Sequence, residues 1–245
     1  MSAITSRTAT SHTATSHTVT SRLGRLLGYD GIIATLLLGA FRYFLVSLSF
    51  VACLVPMLAF QALVGWQSTH LALWLGAAAV LPVAPALHGL IRAAAALLDS
   101  EPHGAQIFWR RFADAVRHRG GSALALSAAV LVLGYDVALL GADAGVLLGA
   151  AAVAAVVAAT VVAGAFLSDS PLRGAAFALA AVRIVMQRPH LALVWLLLAV
   201  LATLATSLPV VGAVAWLSTP ALAAVAATIC ARTLGFDSAR ERAGA

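Results

Sequence analysis

Residues 145–167 read GVLLGAAAVAAVVAATVVAGAFL. The run has no charged residue and no proline. At ~1.5 Å per residue it is long enough for a helix to cross the ~30 Å hydrocarbon core of a bilayer. It is continuously apolar rather than alternating, so it does not read as a half-exposed strand. An open sheet would also leave its edge groups unsatisfied in lipid. The flanks of the run give its orientation. Gly141–Asp143 on one side has no arginine, whereas Arg173, Arg183 and Arg188 follow on the other.

The same contrast repeats outward along the chain. Further apolar runs cover about residues 43–66, 71–98, 122–141, 191–207 and 211–232. Arg7, Arg22, Arg25 and Arg42 precede the first run, and Arg92, Arg110, Arg111, Arg117 and Arg119 fill the next charged gap. Arg232, Arg240 and Arg242 close the chain, while Gln67–His70 and the surroundings of Pro209 have no basic residue. Lys and Arg total 15, and every one is arginine. Positive charge in alternate gaps predicts a multi-pass protein with both termini in the cytoplasm. The expected fold class is an all-α membrane protein: a six-helix transmembrane bundle over residues 43–234 with cytoplasmic amphipathic helices, and a cytoplasmic tail over 235–245.

Composition agrees. Hydrophobic residues make up 62% and charged residues 10%, with mean hydropathy +0.99, where a soluble domain has about a quarter of its residues charged. The net charge of +6 does not point to nucleic acid, because the arginines border apolar spans where they meet anionic lipid. The expected partner is the lipid bilayer. Trp66, Trp74, Trp109, Trp195 and Trp216 fall mostly near run ends, as interfacial aromatics do. Pro82 and Pro85 predict a bend in the second span.

Residues 1–22 hold an imperfect Thr-Ser-His-Ala repeat with almost nothing to bury, and are expected to be a disordered tail. Residues 23–42 read as an amphipathic segment at the inner interface. Asp99–Gly120 places Ile107, Phe108, Phe112 and Val116 at near-helical spacing among arginines, and Ser170–Arg188 repeats the pattern. Both are expected as amphipathic helices on the inner leaflet or against a partner. Gly141, Gly145 and Gly149, spaced by four, predict close helix packing inside the bundle, with a face for a second copy as the alternative.

Few side chains invite chemistry. Asp136 lies inside the third run, where a carboxylate is costly unless paired or wet. From Ser122 it sits about 21 Å along a helix, toward the outer side. It serves either a functional role or a local one, reaching interfacial water or capping a neighbour. His88 and Arg92 are four apart on one helical face. They form either a packed, hydrogen-bonded pair or, with Gln61, a polar cluster that relays protons or holds a ligand. Cys53 and Cys230 read as buried thiols, and His12 and His17 as members of a solvated tail, so no metal site and no cofactor are expected. The sequence lacks HExxH, GxSxG, a P-loop and paired intramembrane carboxylates, so no enzymatic activity is expected.

Pro82-Val83-Ala84-Pro85-Ala86-Leu87-His88-Gly89-Leu90-Ile91-Arg92 is followed by Ile107-Phe108-Trp109-Arg110-Arg111-Phe112, then by Tyr135-Asp136 inside an apolar run. This order resembles the YesL family of small bacterial integral membrane proteins, a domain of unknown function. The resemblance covers about residues 41–233. It makes Phe108, Trp109 and Phe112 a cytoplasmic motif. It implies the bacterial cytoplasmic membrane and an accessory role in carbohydrate uptake, with ABC transporter permease subunits as partners. Two other readings stand beside it: a small transporter or channel using the polar intramembrane cluster, and a membrane scaffold or anchor.

Overall fold

A computed structural model describes residues 32–141, 143–167, 170, 172, 174–207 and 212–234. The expectations for the 1–22 tail, most of the 23–42 segment, the turn at Pro209 and the 235–245 tail lie outside the described residues. The chain divides into two units, Met1–Phe41 and Arg42–Ala245. The described part of the first is the opening turns of one helix.

Among the described residues the secondary structure is helical. The helices are α1 (Ile32–Leu63), α2 (His70–Val80), α3 (Val83–Leu98), α4 (Gly104–His118), α5 (Gly120–Leu140), α6 (Ala144–Phe166), α7 (Gly174–Gln187), α8 (Pro189–Ser207) and α9 (Gly212–Thr233). Among the described residues, four stretches are long and apolar enough to cross a membrane: Leu37–Leu63, His70–Leu98, Gly120–Leu140 and Ala144–Phe166. A fifth arises if α7 and α8, bent by 93° at Arg188, count as one. Large apolar side chains point outward from these helices, among them Leu139 at 80% exposure, Leu148 at 72% and Leu193 at 66%. An apolar surface of that kind is matched by lipid rather than water.

The first span differs from its expected start at residue 43. The apolar stretch begins at Leu37, and Arg42 lies within the helix rather than before it. One arginine does not end a helix, since its stem packs along apolar surface while its head reaches water. The second span bends where prolines predict. The chain turns at Leu81–Pro82, with Leu81 N–H bonded to Ala78 at 3.2 Å, and α3 starts afresh with Pro85 in its first turn.

Helix α3 lies at the centre of the Arg42–Ala245 unit and packs on α4, α5, α6 and α9. Its small residues Ala84, Ala86, Ala93 and Ala94 are fully buried. One core cluster joins Leu90 and Ala93 to Val46, Phe108 and Ala221, and a second joins Ile91 to Ala163, Phe166, Phe177 and Trp195. Gly89 lets α4 approach closely, because a Cβ there would sit 3.0 Å from the Phe108 carbonyl oxygen and 3.1 Å from its ring.

This packing corrects two expectations. The apolar face of α4 is covered in part by protein: Phe108 is 0% exposed and packed against α3, with Trp109 and Phe112 beside it, while Val116 is exposed. Trp195 is not interfacial, being buried and stacked on Phe166 at 5.2 Å. The glycines spaced by four across the α5–α6 junction find no partner helix among the described residues, since a Cβ at Gly141, Gly145 or Gly149 would meet nothing within 4 Å. Cys53 is buried and Cys230 half-buried, both as free thiols.

α9 holds a proline that the sequence reading passed over. Pro220 interrupts its hydrogen-bond ladder. Ser47 of α1, fully buried, fills the break: its Oγ accepts from Ala221 N–H at 3.0 Å and donates to the Ser218 carbonyl at 3.3 Å.

The arginine-bearing gaps gather at one end of this unit. Arg232 makes two 3.1 Å hydrogen bonds to Asp99, joining the ends of α9 and α3. Arg188 donates to the Leu234 carbonyl at 2.9 Å, and Arg119 to the Ser170 carbonyl at 3.4 Å. The far end has a different contact, His70 Nδ1 to Tyr135 Oη at 2.9 Å.

Candidate functional site

The site is built at the α4–α5 junction. The chain turns at Arg119 and restarts as helix at Gly120, and the Arg119 carbonyl accepts from both N–H and Oγ of Ser122, at 3.0 and 2.8 Å. That fixes the backbone from which the Arg119 side chain projects. Its guanidinium lies 4.5 Å above the centroid of the Phe177 ring on α7, a cation–π geometry. Phe177 is itself buried, and its ring closes on Gly164 of α6, where a Cβ would come within 3.3 Å. The imidazole of His88, 2% exposed, lies 6.4 Å from the Phe177 ring.

A cavity of about 740 Å³ opens between α5, α6 and α7. One end is polar, lined by His88, Asp114, His118, Arg119, Ser122 and Ser170. The Ser170 hydroxyl oxygen is shielded from solvent and makes no hydrogen bond among the described residues. From there an apolar arm runs between Ala125 and Ala129 of α5, Val156 and Val157 of α6, and Ala181 and Val182 of α7. Thr160 also lines it, but its hydroxyl bonds back to the Val156 carbonyl at 2.8 Å. The arm exists because alanine, valine and glycine face one another there and do not fill the gap.

Behind the polar end lies a small hollow bordered by His88, Arg92, Arg111, Asp114 and Arg119. The Nε and Nη2 of Arg92 are shielded from solvent. Guanidinium groups stay charged at any physiological pH. Asp114 is the carboxylate in this lining, and it also faces His118, 2.9 Å away. Three arginines and one aspartate thus border the hollow.

Of the side chains singled out from sequence, His88 and Arg92 come together here, on adjoining turns of α3. Asp136 does not. It is exposed, about one turn from the C-terminal end of α5, and makes no hydrogen bond or ion pair among the described residues. Gln61 is exposed near the end of α1 and does not border the cavity. Phe108 belongs to the core, Phe112 is half-buried, and Trp109 is exposed on the outer face of α4. Arg119, Ser170 and Phe177 escaped the sequence reading. Arg119 looked like one more topology-setting charge, although its place directly before Gly120-Gly121 marked it as the joint between two helices.

No family model, curated protein or solved structure matches this chain.

Proposed function

We propose that the protein is a ligand-binding membrane protein of the small-transporter class, with six spans and the arginine-rich end in the cytoplasm. The observation that carries this is the cavity between α5, α6 and α7, with His88, Arg119 and Ser170 at its polar end. A bundle that only anchored other proteins would have no use for a chambered interior with a shielded charged end. The six-span count follows if α7 lies across the cytoplasmic end and α8 and α9 each cross, which the 93° bend at Arg188 favours. Positive charge gathered at one end favours that end as cytoplasmic.

One experiment tests both parts. Single cysteines at Ala178, which lines the cavity, and at Ser68, in the arginine-free gap, are placed in a background lacking Cys53 and Cys230. A membrane-impermeant thiol reagent should modify Ala178→Cys only in inside-out vesicles and Ser68→Cys only in right-side-out ones. No modification of Ala178→Cys from either side would remove the binding reading. Modification of it from outside would invert the topology.

A second reading, an accessory component of carbohydrate ABC uptake akin to the YesL family, is favoured by the outer face of α4. Trp109, Arg110 and Arg117 are exposed there and available to a partner. Its test is whether permease subunits of such a transporter co-purify with the chain in mild detergent and are lost on Trp109→Ala.

A further inference from the structure

We propose that the ligand of this cavity is an uncharged amphiphile: one hydrocarbon chain lying between α5, α6 and α7, ending in hydroxyl groups held at Ser170, Ser122 and Asp114. This rests on the ligand-binding reading above and names its ligand class.

The polar end favours a head without net charge. Among the described residues the arginine and carboxylate side chains that line the cavity are Arg119 and Asp114, one of each sign. The protein engages both. Arg119 lies over the Phe177 ring and donates to the Ser170 carbonyl, and Asp114 faces His118 at 2.9 Å. A charged head would arrive without a counter-charge to meet it, and burying it there is costly. A hydroxyl suits this end better, because it donates and accepts. The shielded Ser170 oxygen makes no hydrogen bond among the described residues. Ser122 Oγ gives its proton to the Arg119 carbonyl at 2.8 Å and keeps its lone pairs for a donor. The Asp114 oxygens are acceptors as well.

The arm calls for hydrocarbon. Along α6 its lining runs from Gly164 back to Val156, eight residues or about 12 Å of helix. Helices α5 and α7 both pack on α6, and the cavity separates them from each other. The facing walls are Ala125, Ala129 and Val157 with Val156 and Val182, and these last two are left 50% and 40% exposed. Covering bare valine with a hydrocarbon chain is favourable. Thr160 has already given its hydroxyl proton to the Val156 carbonyl. A sugar presents hydroxyls on all sides and would leave most of them unsatisfied along such walls. At about 740 Å³ the cavity is of the size that small-molecule sites occupy.

The order of the two parts also matches an amphiphile taken from a membrane. The polar end lies where α4 meets the start of α5, among the arginine-bearing gaps, and the arm runs from there along the apolar helices α5 and α6. Head at the interface and chain inward is how such a molecule already lies in a bilayer.

The test uses the full chain in digitonin, whose steroid body offers no alkyl chain to the arm, at a pH of about 8, where imidazoles are ordinarily neutral. Tritiated monodecanoylglycerol is bound to the protein and competed with decanoate, decyltrimethylammonium and glycerol, and the rise in Tm is read for each. Monodecanoylglycerol should bind at least about tenfold more tightly than each competitor. Ser170→Ala should weaken it by about fivefold, the effect of one neutral hydrogen bond. Ala129→Trp, which fills the arm, should abolish it. Should that variant fail to fold, Asp114→Asn serves. It leaves the lining with a net positive charge, so decanoate should gain on monodecanoylglycerol by about tenfold.

Decanoate or decyltrimethylammonium binding as tightly as monodecanoylglycerol to the unaltered chain would overturn the proposal. So would glycerol binding as tightly, which would make the arm irrelevant, or an unchanged preference in Asp114→Asn. If Ala178→Cys is labelled from inside and monodecanoylglycerol does not bind, the amphiphile assignment falls alone. If Ala178→Cys is not labelled, the binding reading falls with it.

Discussion

Gly89→Ala tests the central packing directly. Two effects oppose each other. Replacing glycine by alanine inside a helix gains up to ~1 kcal/mol from chain entropy. Against that, the new Cβ would sit 3.0 Å from the Phe108 carbonyl oxygen and 3.1–3.2 Å from its ring carbons. The ring cannot swing away easily, because it is 0% exposed and held between Trp109 and Phe112, at 5.4 and 6.3 Å between centroids. The carbonyl belongs to the backbone of α4, so relief requires α4 to move off α3. Overpacking of this kind costs ~1–3 kcal/mol, and with backbone in the way the upper part of that range applies. The net is a destabilisation of ~1–2 kcal/mol. At ~2–4 °C per kcal/mol for a chain of this size, Tm falls by a few degrees. Gly149→Ala is the control, since its Cβ would meet nothing within 4 Å and only the entropic gain remains. Tm is measured on detergent-purified protein by intrinsic tryptophan fluorescence, with gel filtration to confirm the folded state. A Gly89→Ala protein as stable as Gly149→Ala would refute the close α3–α4 contact.

Three further outcomes follow from the same structure. Ser47→Ala should cost ~1–3 kcal/mol, because it strips the Ala221 N–H and Ser218 carbonyl of their side-chain partner beside Pro220; an unchanged Tm would remove Ser47 as the patch for that break. Arg232→Gln should cost no more than ~1 kcal/mol, since the Asp99 pair is exposed on both sides, and a larger loss of Tm would show that the pair holds α9 to α3. Asp136→Asn should change stability by under ~0.5 kcal/mol, read as an unchanged Tm; a clear fall in Tm would show that Asp136 has a structural partner.

Much of the fold was legible in the sequence because length and continuity of apolar runs are direct physical requirements for crossing lipid. The third and fourth runs, 122–141 and 145–167, correspond to α5 at Gly120–Leu140 and α6 at Ala144–Phe166. Pro82 marked the break between α2 and α3 for the same kind of reason, a missing donor. The periodicity of residues 107–116 was a weaker guide. It says that α4 has an apolar face and not what covers it, and Phe108 turned out to face protein. The cavity was harder still to read. It is a gap left between three helices by alanines and valines, and in one dimension those residues look like the small side chains that let helices touch. His88 and Arg92 could be paired from their spacing of four. Arg119 could not join them, because its distance in sequence carries no trace of the fold that brings α4's end beside α3.

The burial of α3 on four sides has an evolutionary consequence. A methyl group added at one of its buried positions must be accommodated by α4, α5, α6 or α9 rather than by lipid, which would yield. On α6 the position of Leu148 opens outward, and side chains there can be exchanged among apolar types with little effect. Sequence drift in this lineage should therefore be lopsided, with alanine and glycine persisting along Ala84–Ala96 while the outward faces of α5 and α6 turn over freely. A saturation library read out by membrane abundance would show this as a narrow band of intolerance in the middle of an otherwise permissive chain.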